Sequence, residues 1–400
     1  MPFSPAAYDP SRWPRLPSKF ADFAALDSGD TANLELLLSD DCLRRIEAAD
    51  REQWGRHVLL FGATGFVGSH LLHRLLRRSQ TERVYAIVRS RAGFSGWDRI
   101  AATLRKYELL DSLVNRDKLT LLDGDFAAAS FGLSGDAHDR LASQVDTVIQ
   151  SAGSTDYLPP YEELRRDWVL GLLGAMQFCF EGRVKQLVYM GSTIAHLFKT
   201  REDFQKPDSW WYSGYAQMKW VNQQMMASLA RQGMRAQVCE APYVLGSMDV
   251  GLDPGYVYSF WRGVAFSAAL RVGWDGPLPA FVAVDVLRDA VLGNAFSRDP
   301  LPVIRPVSSN DLRNADVAAH LRCTILPWQE FQERISQHAT MEQLRIIPPD
   351  FPELVSKGNL PAIFPPGYRM PPLPRPDELF KLYLTKIGLI RGERAGAAPL

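Results

Sequence analysis

Three observations predict a doubly wound α/β fold, with a parallel sheet and a smaller C-terminal domain. Apolar runs that do not alternate with polar residues recur between amphipathic stretches, as expected of strands buried on both faces. A turn carrying three glycines, Gly62-Ala-Thr-Gly65-Phe-Val-Gly68, separates the first such run from the first amphipathic stretch. Strand and helix patterns then alternate as far as Pro242, where the regularity loosens.

Taken in order, His57–Phe61 reads as the first strand and Ser69–Arg78 as a helix with Leu71, Leu72, Leu75 and Leu76 on one face. Strands are expected at Arg83–Val88, Lys118–Asp123, Asp146–Gln150, Lys185–Met190 and Ala236–Glu240. Helices are expected at Tyr161–Phe180 and from about Tyr215 to Gln232. Upstream, a Pro-rich start leads into a helix from about Asp30 to Asp50. Downstream, the stretch Pro348–Pro376 holds ten of the chain's 27 prolines and predicts an extended surface wrap or lid. A helix over Gly255–Arg271 is expected to roof the cleft, and another over Asp377–Ile390 to close the chain. The expected division is 1–54 as a lead-in, 55–245 as a nucleotide-binding domain and 246–400 as a substrate-binding domain.

Composition narrows the function classes. In 400 residues, Lys+Arg and Asp+Glu balance at 45 each, so no global field favours nucleic acid or an anionic membrane. The four cysteines form no CxxC pair, which argues against a zinc site or a disulfide framework and fits a reducing cytoplasm. The start lacks the basic and apolar regions of a signal peptide, and no run reaches the roughly 20 apolar residues of a membrane span. The expectation is a cytoplasmic protein with no membrane insertion and no nucleic-acid partner. The seven histidines show no metal-ligand spacing.

The glycine turn points to a dinucleotide. Gly62 permits the tight turn, Gly65 lets backbone approach a pyrophosphate, and Gly68 lets the following helix pack close to the sheet. Thr64, Phe66 and Val67 complete the candidate loop. An NAD site usually ends its second strand on an acid. Here the strand ends Val88-Arg89-Ser90-Arg91, with Arg99 beyond, and a guanidinium suits a 2′-phosphate. NADPH is the expected cofactor. Asp125, after the third strand, is a candidate for the adenine amino group.

Tyr215-Ala-Gln-Met-Lys219 places a phenol and an ammonium on one helix face. It follows a strand ending in Met190-Gly191-Ser192-Thr193. Tyr215 is the candidate acid, Lys219 the group that eases its ionisation and holds a ribose, and a hydroxyl from Ser192 or Thr193 the donor to a substrate oxygen. His196, just beyond that strand, is a candidate for lining the site's mouth, with a satisfied loop histidine the favoured reading. Trp210, Trp211, Trp220 and Trp261 are candidates for lining an acyl pocket or for core packing.

These residues resemble the extended short-chain dehydrogenase/reductase family, Rossmann-like in fold, over roughly Leu37 to Asp289. Within it, the likeness is to thioester reductase domains of nonribosomal peptide and polyketide synthetases and of carboxylic acid reductases. Leu37-Leu-Ser-Asp-Asp-Cys-Leu43, the glycine loop, Ala86-Ile-Val-Arg89, Arg99-Ile-Ala-Ala-Thr-Leu104, Gly124-Asp125, Phe131-Gly-Leu-Ser134, Tyr161-Glu-Glu-Leu-Arg165 and Gly214-Tyr-Ala-Gln-Met-Lys-Trp220 carry it. The resemblance favours Ser192 over Thr193 as the hydroxyl, and implies cofactor contacts from Phe126, Ser151, Ala152 and Pro242. It further implies an acyl thioester, on a carrier protein's phosphopantetheine arm or on CoA, reduced to an aldehyde or alcohol in secondary-metabolite biosynthesis. No carrier module is evident in the sequence, so a free-standing reductase is expected.

Three segments depart from the family pattern. Trp168-Val-Leu-Gly-Leu172 stands where Asn-Val-x-Gly-Thr is usual, Ala241-Pro242-Tyr243 where Arg-Pro-Gly is usual, and Ser151-Ala-Gly153 where His-x-Ala-Ala is usual. The alternative is an NADP(H)-dependent extended reductase or epimerase/dehydratase acting on a free carbonyl compound. A further alternative, a non-catalytic NADP(H)-binding protein, has no need of an intact Ser192, Tyr215 and Lys219.

Overall fold

The computed structural model describes residues 38–49, 54–90, 93–155, 159, 161–197, 214–254, 264, 267–308, 313–338, 355, 359–372 and 374–390. Seven parallel strands form the main sheet: β1 (His57–Phe61), β2 (Arg83–Val88), β3 (Leu119–Asp123), β4 (Thr147–Gln150), β5 (Gln186–Ser192), β6 (Ala236–Ala241) and, numbered after three short strands, β10 (Val303–Ile304). Their spatial order, β3-β2-β1-β4-β5-β6-β10, reverses direction between β1 and β4. Ligands bind at such a switch point, beyond the carboxyl ends of the strands.

Both faces of the sheet are covered, which is why its strands read as unbroken apolar runs. Leu59, Phe61, Val148, Leu187, Tyr189 and Val238 point to one side. There they meet α5, a helix made of Tyr161–Leu164, a π-helical turn Arg165–Val169 and Leu170–Phe178, and α6 (Gly214–Arg231). Val58, Leu60, Ala86, Val88, Val188 and Met190 point to the other side. That face is covered by α2 (Phe66–Arg77), α3 (Gly96–Lys106) and α7 (Val284–Ala295). The period-2 alternation of strand side chains thus sorts one apolar sequence into two separate cores.

The predicted strands all form, with ends within two residues of expectation. The helix expected at Ser69 begins at Phe66, because the glycine turn closes sooner: Gly65 N–H donates to Gly62 O at 2.8 Å and Gly65 is the N-cap. Helices α3 and α4 (Gly135–Gln144) and α7 were not expected. The boundary expected at residue 245 is not a boundary of the sheet, since β10 pairs with β6 (Val303 with Val238) and α7 packs against α2. The chain thus returns to the parallel sheet after leaving it.

The remaining strands are short: β7 (Tyr243–Leu245) pairs with β9 (Phe281–Ala283), and β8 (Val272–Trp274) with β11 (Thr324–Leu326). Of the lead-in, α1 (Asp40–Glu47) is described; its Ile46 is buried, and Leu38 N–H donates to Gln232 Oε1 at 2.8 Å. The helix expected over Gly255–Arg271 falls mostly outside the described residues, as do Trp210, Trp211 and Trp261. In the described part of the proline-rich stretch, Val355 is helical, while 359–372 are irregular, with a turn at 366–367, and pinned. Ile363 and Arg305 exchange backbone hydrogen bonds of 2.8 and 2.9 Å, and Asn359 Oδ1 accepts from Ala280 N–H at 2.6 Å. The closing helix runs Pro376–Lys386.

Candidate active site

The glycine loop explains itself sterically. Gly62 has φ +84°, and a Cβ there would stand 2.5 Å from the Ala152 amide nitrogen. A Cβ on Gly68 would stand 2.0 Å from Gly62 O. Side chains at either position would push the turn off the loop after β4 or the helix off the turn. The α2 N-terminus thus opens at the switch point with its first amides directed outward. Ser151 lies on the opposite side of this gap. Its N–H donates to Phe61 O at 3.1 Å, while its buried hydroxyl has no hydrogen-bond partner. A backbone cradle with an orphaned hydroxyl beside it fits a dinucleotide pyrophosphate and ribose. Thr64, Phe66, Val67 and Ala152 belong to the same junction. The Phe66 side chain, though, packs on His70 and Tyr107 at 5.3 and 5.0 Å, leaving only its main chain for a ligand.

Beyond β2 the cationic groups converge. Arg99 donates to Arg89 O and, at 3.4 Å, to Thr64 Oγ1, so its guanidinium bridges the end of β2 and the glycine loop. Arg89 is half exposed and approaches Asp125 Oδ2 at 3.5 Å. Asp125 also accepts from Ala127 N–H at 3.0 Å, which places its carboxylate in its own turn and beside Arg89. The Phe126 side chain is buried against Phe61, 4.9 Å away, and Trp168, 6.2 Å away. Any contact of Phe126 with a cofactor therefore falls to its backbone.

The candidate catalytic residues meet at the carboxyl end of β5. Ser192 is the last residue of that strand, and Tyr215 and Lys219 lie on the first turns of α6. The Ser192 hydroxyl lies beside the Tyr215 phenol, close enough to favour its ionised form. Ser192 Oγ also accepts from Ile194 N–H at 3.3 Å. Thr193 begins the 3₁₀ turn that follows the strand, and the hydroxyl that acts on Tyr215 is that of Ser192. Lys219 Nζ donates to Met190 O at 2.7 Å and lies 5.0 Å from the Tyr189 ring centre and 5.8 Å from that of Tyr215. It is also near Gly153, whose hypothetical Cβ would stand 3.9 Å away.

The electrostatics correct one expectation. Lys219 was expected to draw the Tyr215 phenol down toward neutrality. Instead, burial pushes Tyr215 up to about 12, against the lowering effect of the Ser192 hydroxyl. Burial also lowers Lys219 to about 8, partly offset by nearby Cys239. At neutral pH the phenol therefore carries its proton firmly, which suits a group that gives one to a developing alkoxide.

Three residues were missed in the sequence: Gln223, Glu240 and Arg305. Ser192 N–H donates to Gln223 Oε1 at 2.9 Å, and Gln223 Nε2 donates to Glu240 Oε1 at 3.0 Å. Glu240 is buried and paired with Arg305 Nη2 at 2.5 Å and His196 Nε2 at 2.8 Å. His196 is the satisfied loop histidine expected. Burial alone would raise the Glu240 carboxyl; the hydrogen bonds and charges of His196 and Arg305 outweigh it and hold it low. Two signals were available. Gln223 lies eight residues after Tyr215 on the same helix face, and Glu240 is a lone carboxylate in a buried strand, which demands a partner. At the rebuilt Trp168 position, the π-helical turn presents Trp168 O to Asn222 Nδ2 at 3.3 Å. Pro242 follows β6 directly.

A switch-point glycine loop together with a Ser, Tyr and Lys set at the end of β5 defines the class: a nicotinamide-dependent oxidoreductase of the extended short-chain type. Residues 60–272 match the NAD-binding family described as male sterility protein, and the chain belongs to that family. The large subunit of L-2-aminoadipate reductase from Penicillium chrysogenum is 32% identical over 214 residues, covering 48% of this chain and 15% of that protein. The chain thus spans only a small part of such multidomain relatives. Among solved structures, the terminal R domain of the myxalamid PKS-NRPS pathway superposes with a TM-score of 0.73 at 20% identity, over 91% of this chain and 98% of that one. A thiolation-reductase di-domain of an archaeal nonribosomal peptide synthetase gives 0.67 at 14% identity, over 90% of this chain and 82% of that one. Among the described residues, no helix is long and apolar enough to cross a membrane.

Proposed function

We propose that this protein is an NADPH-dependent thioester reductase. The observation that carries this reading is the meeting of Ser192, at the carboxyl end of β5, with Tyr215 and Lys219 on the first turns of α6, where Lys219 Nζ lies 5.8 Å from the Tyr215 ring centre. A nicotinamide cofactor held by the glycine loop, Gly62 to Gly68, would supply the hydride. Ser192 Oγ holds the acyl carbonyl oxygen, and Tyr215 gives its phenolic proton to that oxygen as negative charge develops there. Lys219 stands close enough to Tyr215 to stabilise the phenolate left behind and to reach a ribose hydroxyl. The product of this step is a thiohemiacetal. Its C–S bond then breaks, the sulfur leaves as the thiol with a proton, and an aldehyde is released. A second round on the aldehyde gives the alcohol.

The choice of NADPH rests on Arg89 and Arg99 at the end of β2, where a 2′-phosphate has a guanidinium to pair with. Gly62, Thr64, Gly65, Phe66, Val67, Gly68, Asp125, Phe126, Ser151, Ala152 and Pro242 complete the proposed cofactor contacts, Phe66 and Phe126 through their main chains. The acyl group arrives on a phosphopantetheine arm or on CoA. Support for this comes from the kinship with aminoadipate reductase and from a fold shared with a thiolation-reductase di-domain. The four free thiols fit a cytoplasmic setting.

The test is a panel of acyl-CoA and acyl-pantetheine thioesters beside free aldehydes and ketones, followed by NADPH absorbance and thiol release. Thiol release in step with NADPH oxidation is expected. Oxidation with a free ketone and with no thioester would replace this reading with a reductase of small carbonyl compounds.

A further inference from the structure

The polar chain behind Ser192 does not belong to the nucleotide-binding machinery, and it spans elements far apart in sequence. We propose that Gln223, Glu240 and Arg305 form a positioning relay that couples the seating of the segment around Pro361–Ile363 to the placement of Ser192 against Tyr215. The relay deepens the functional reading above and rests on its assignment of Ser192.

The geometry runs in one direction without a break. Gly191, just before Ser192, has no side chain, and a Cβ there would stand 2.6 Å from Gln223 Oε1. The missing methyl is what lets the carboxamide reach across the strand to the Ser192 N–H, 2.9 Å away. A carboxamide can present either end. Were it flipped, its NH₂ would oppose the Ser192 N–H, donor against donor. Glu240 settles the orientation. As an ionised carboxylate it only accepts, so Gln223 turns its NH₂ to Glu240 at 3.0 Å and its oxygen to Ser192.

Arg305 fixes Glu240 in turn. Its Nε and Nη2 reach Glu240 Oε2 at 3.0 and 2.5 Å, a forked grip on one oxygen that leaves Oε1 to Gln223 and His196. The third nitrogen of the same guanidinium, Nη1, donates to Pro361 O at 2.9 Å. The Arg305 main chain also bridges Ile363 in both directions. A shift of the 361–363 main chain therefore moves the guanidinium, and the guanidinium moves the carboxylate that sets the Gln223 amide. His196, in the turn directly after Ser192, returns to the same carboxylate and closes the circuit. Charged groups this deeply buried are unforgiving of misalignment, so the arrangement has one geometry and transmits displacement.

Gln223→Met keeps the volume and removes both hydrogen bonds. The rate at saturating substrate should fall by about 30- to 100-fold, with NADPH affinity and substrate KM little changed, as expected of a displaced reacting group. In a Ser192→Ala background the same substitution should cost less than about twofold, because its effect passes through Ser192. Glu240→Gln, which preserves shape and frees the amide to flip, should reproduce the pattern should Gln223→Met fold poorly. Hydrogen–deuterium exchange reads the coupling without any substrate. Arg305→Met should speed exchange in peptides covering both 359–364 and 190–194, whereas Gln223→Met should speed it in 190–194 alone. Equal losses in both Ser192 backgrounds, or unchanged exchange at 190–194 in Arg305→Met, would overturn the relay. A wild-type protein that reduces no carbonyl compound would refute the functional reading, and the exchange pattern would still decide the relay.

Discussion

The glycine loop after β1 and the polar cluster at the ends of β5 and β6 lie on the same edge of one parallel sheet, yet they are built in opposite ways. The loop works by what it lacks: Gly62 and Gly68 leave space where a Cβ would strike backbone at 2.5 and 2.0 Å. The cluster works by what it buries, a carboxylate, a guanidinium and two ammonium- or phenol-bearing side chains, each satisfied by a partner from another element. A site made of space is tolerant of its neighbours and intolerant of added atoms. A site made of buried charge tolerates added atoms poorly and lost partners worse.

Removing one partner from the cluster should give the largest effect. Arg305→Met strips the buried Glu240 of its guanidinium and leaves it only Gln223 and His196, and about 3 kcal/mol of unfolding free energy should be lost in urea titrations. A loss below about 1 kcal/mol would mean that water or His196 replaces the guanidinium, blurring the contrast. In the loop, Gly68→Ala should cost about 1–3 kcal/mol through overpacking against Gly62 O. It should weaken dinucleotide binding in calorimetry more than it lowers thermal stability.

The cofactor-side arginines sharpen the contrast, since Arg89 is exposed and Arg99 only half-buried where Arg305 is buried. Arg99→Ala should lower the preference for NADPH over NADH by about tenfold, about 1.4 kcal/mol, with stability nearly unchanged. The smallest effect should be a gain. Burial holds Lys219 at about 8 against an ordinary value of 10.5. Between those values the unfolded chain binds more protons, so the Lys219 contribution to stability rises with pH through that window. Below about pH 8 the full penalty of the buried cation is present. Lys219→Met removes it and leaves Met190 O without its donor, so a net gain of about 1 kcal/mol at pH 7 is expected, together with loss of reduction. In the wild type, reduction should decline as pH rises past about 8 and the ammonium discharges.

The same contrast explains what could be read in the sequence. Glycine is itself the signal where space is the function, so Gly62, Gly65 and Gly68 were legible without a structure, as were strands buried on both faces. Tyr215 and Lys219 were legible because one helix presents them at i and i+4. The relay was not, since Gln223, Glu240, Arg305 and Pro361 are ordinary residue types joined only by the fold. Nor was the return of β10 to the sheet: two paired residues, Val303 and Ile304, are too short for any periodicity to register. Helix α3 was hidden by a polar outer face, with only Ile100 and Leu104 buried along it. The assumed effect of Lys219 on Tyr215 failed because sequence spacing shows proximity but not burial, and burial dominates here.

The central claim is that Tyr215 delivers the proton that makes hydride transfer to a thioester productive. It is tested most directly by single-turnover mixing of the NADPH complex with an excess of acyl-CoA, comparing wild type with Tyr215→Phe at matched NADPH occupancy. The wild type should oxidise its NADPH and release free thiol, while the variant should bind NADPH equally well and react about a thousandfold more slowly. Equal rates in the two proteins would contradict the account and move the proton donor elsewhere.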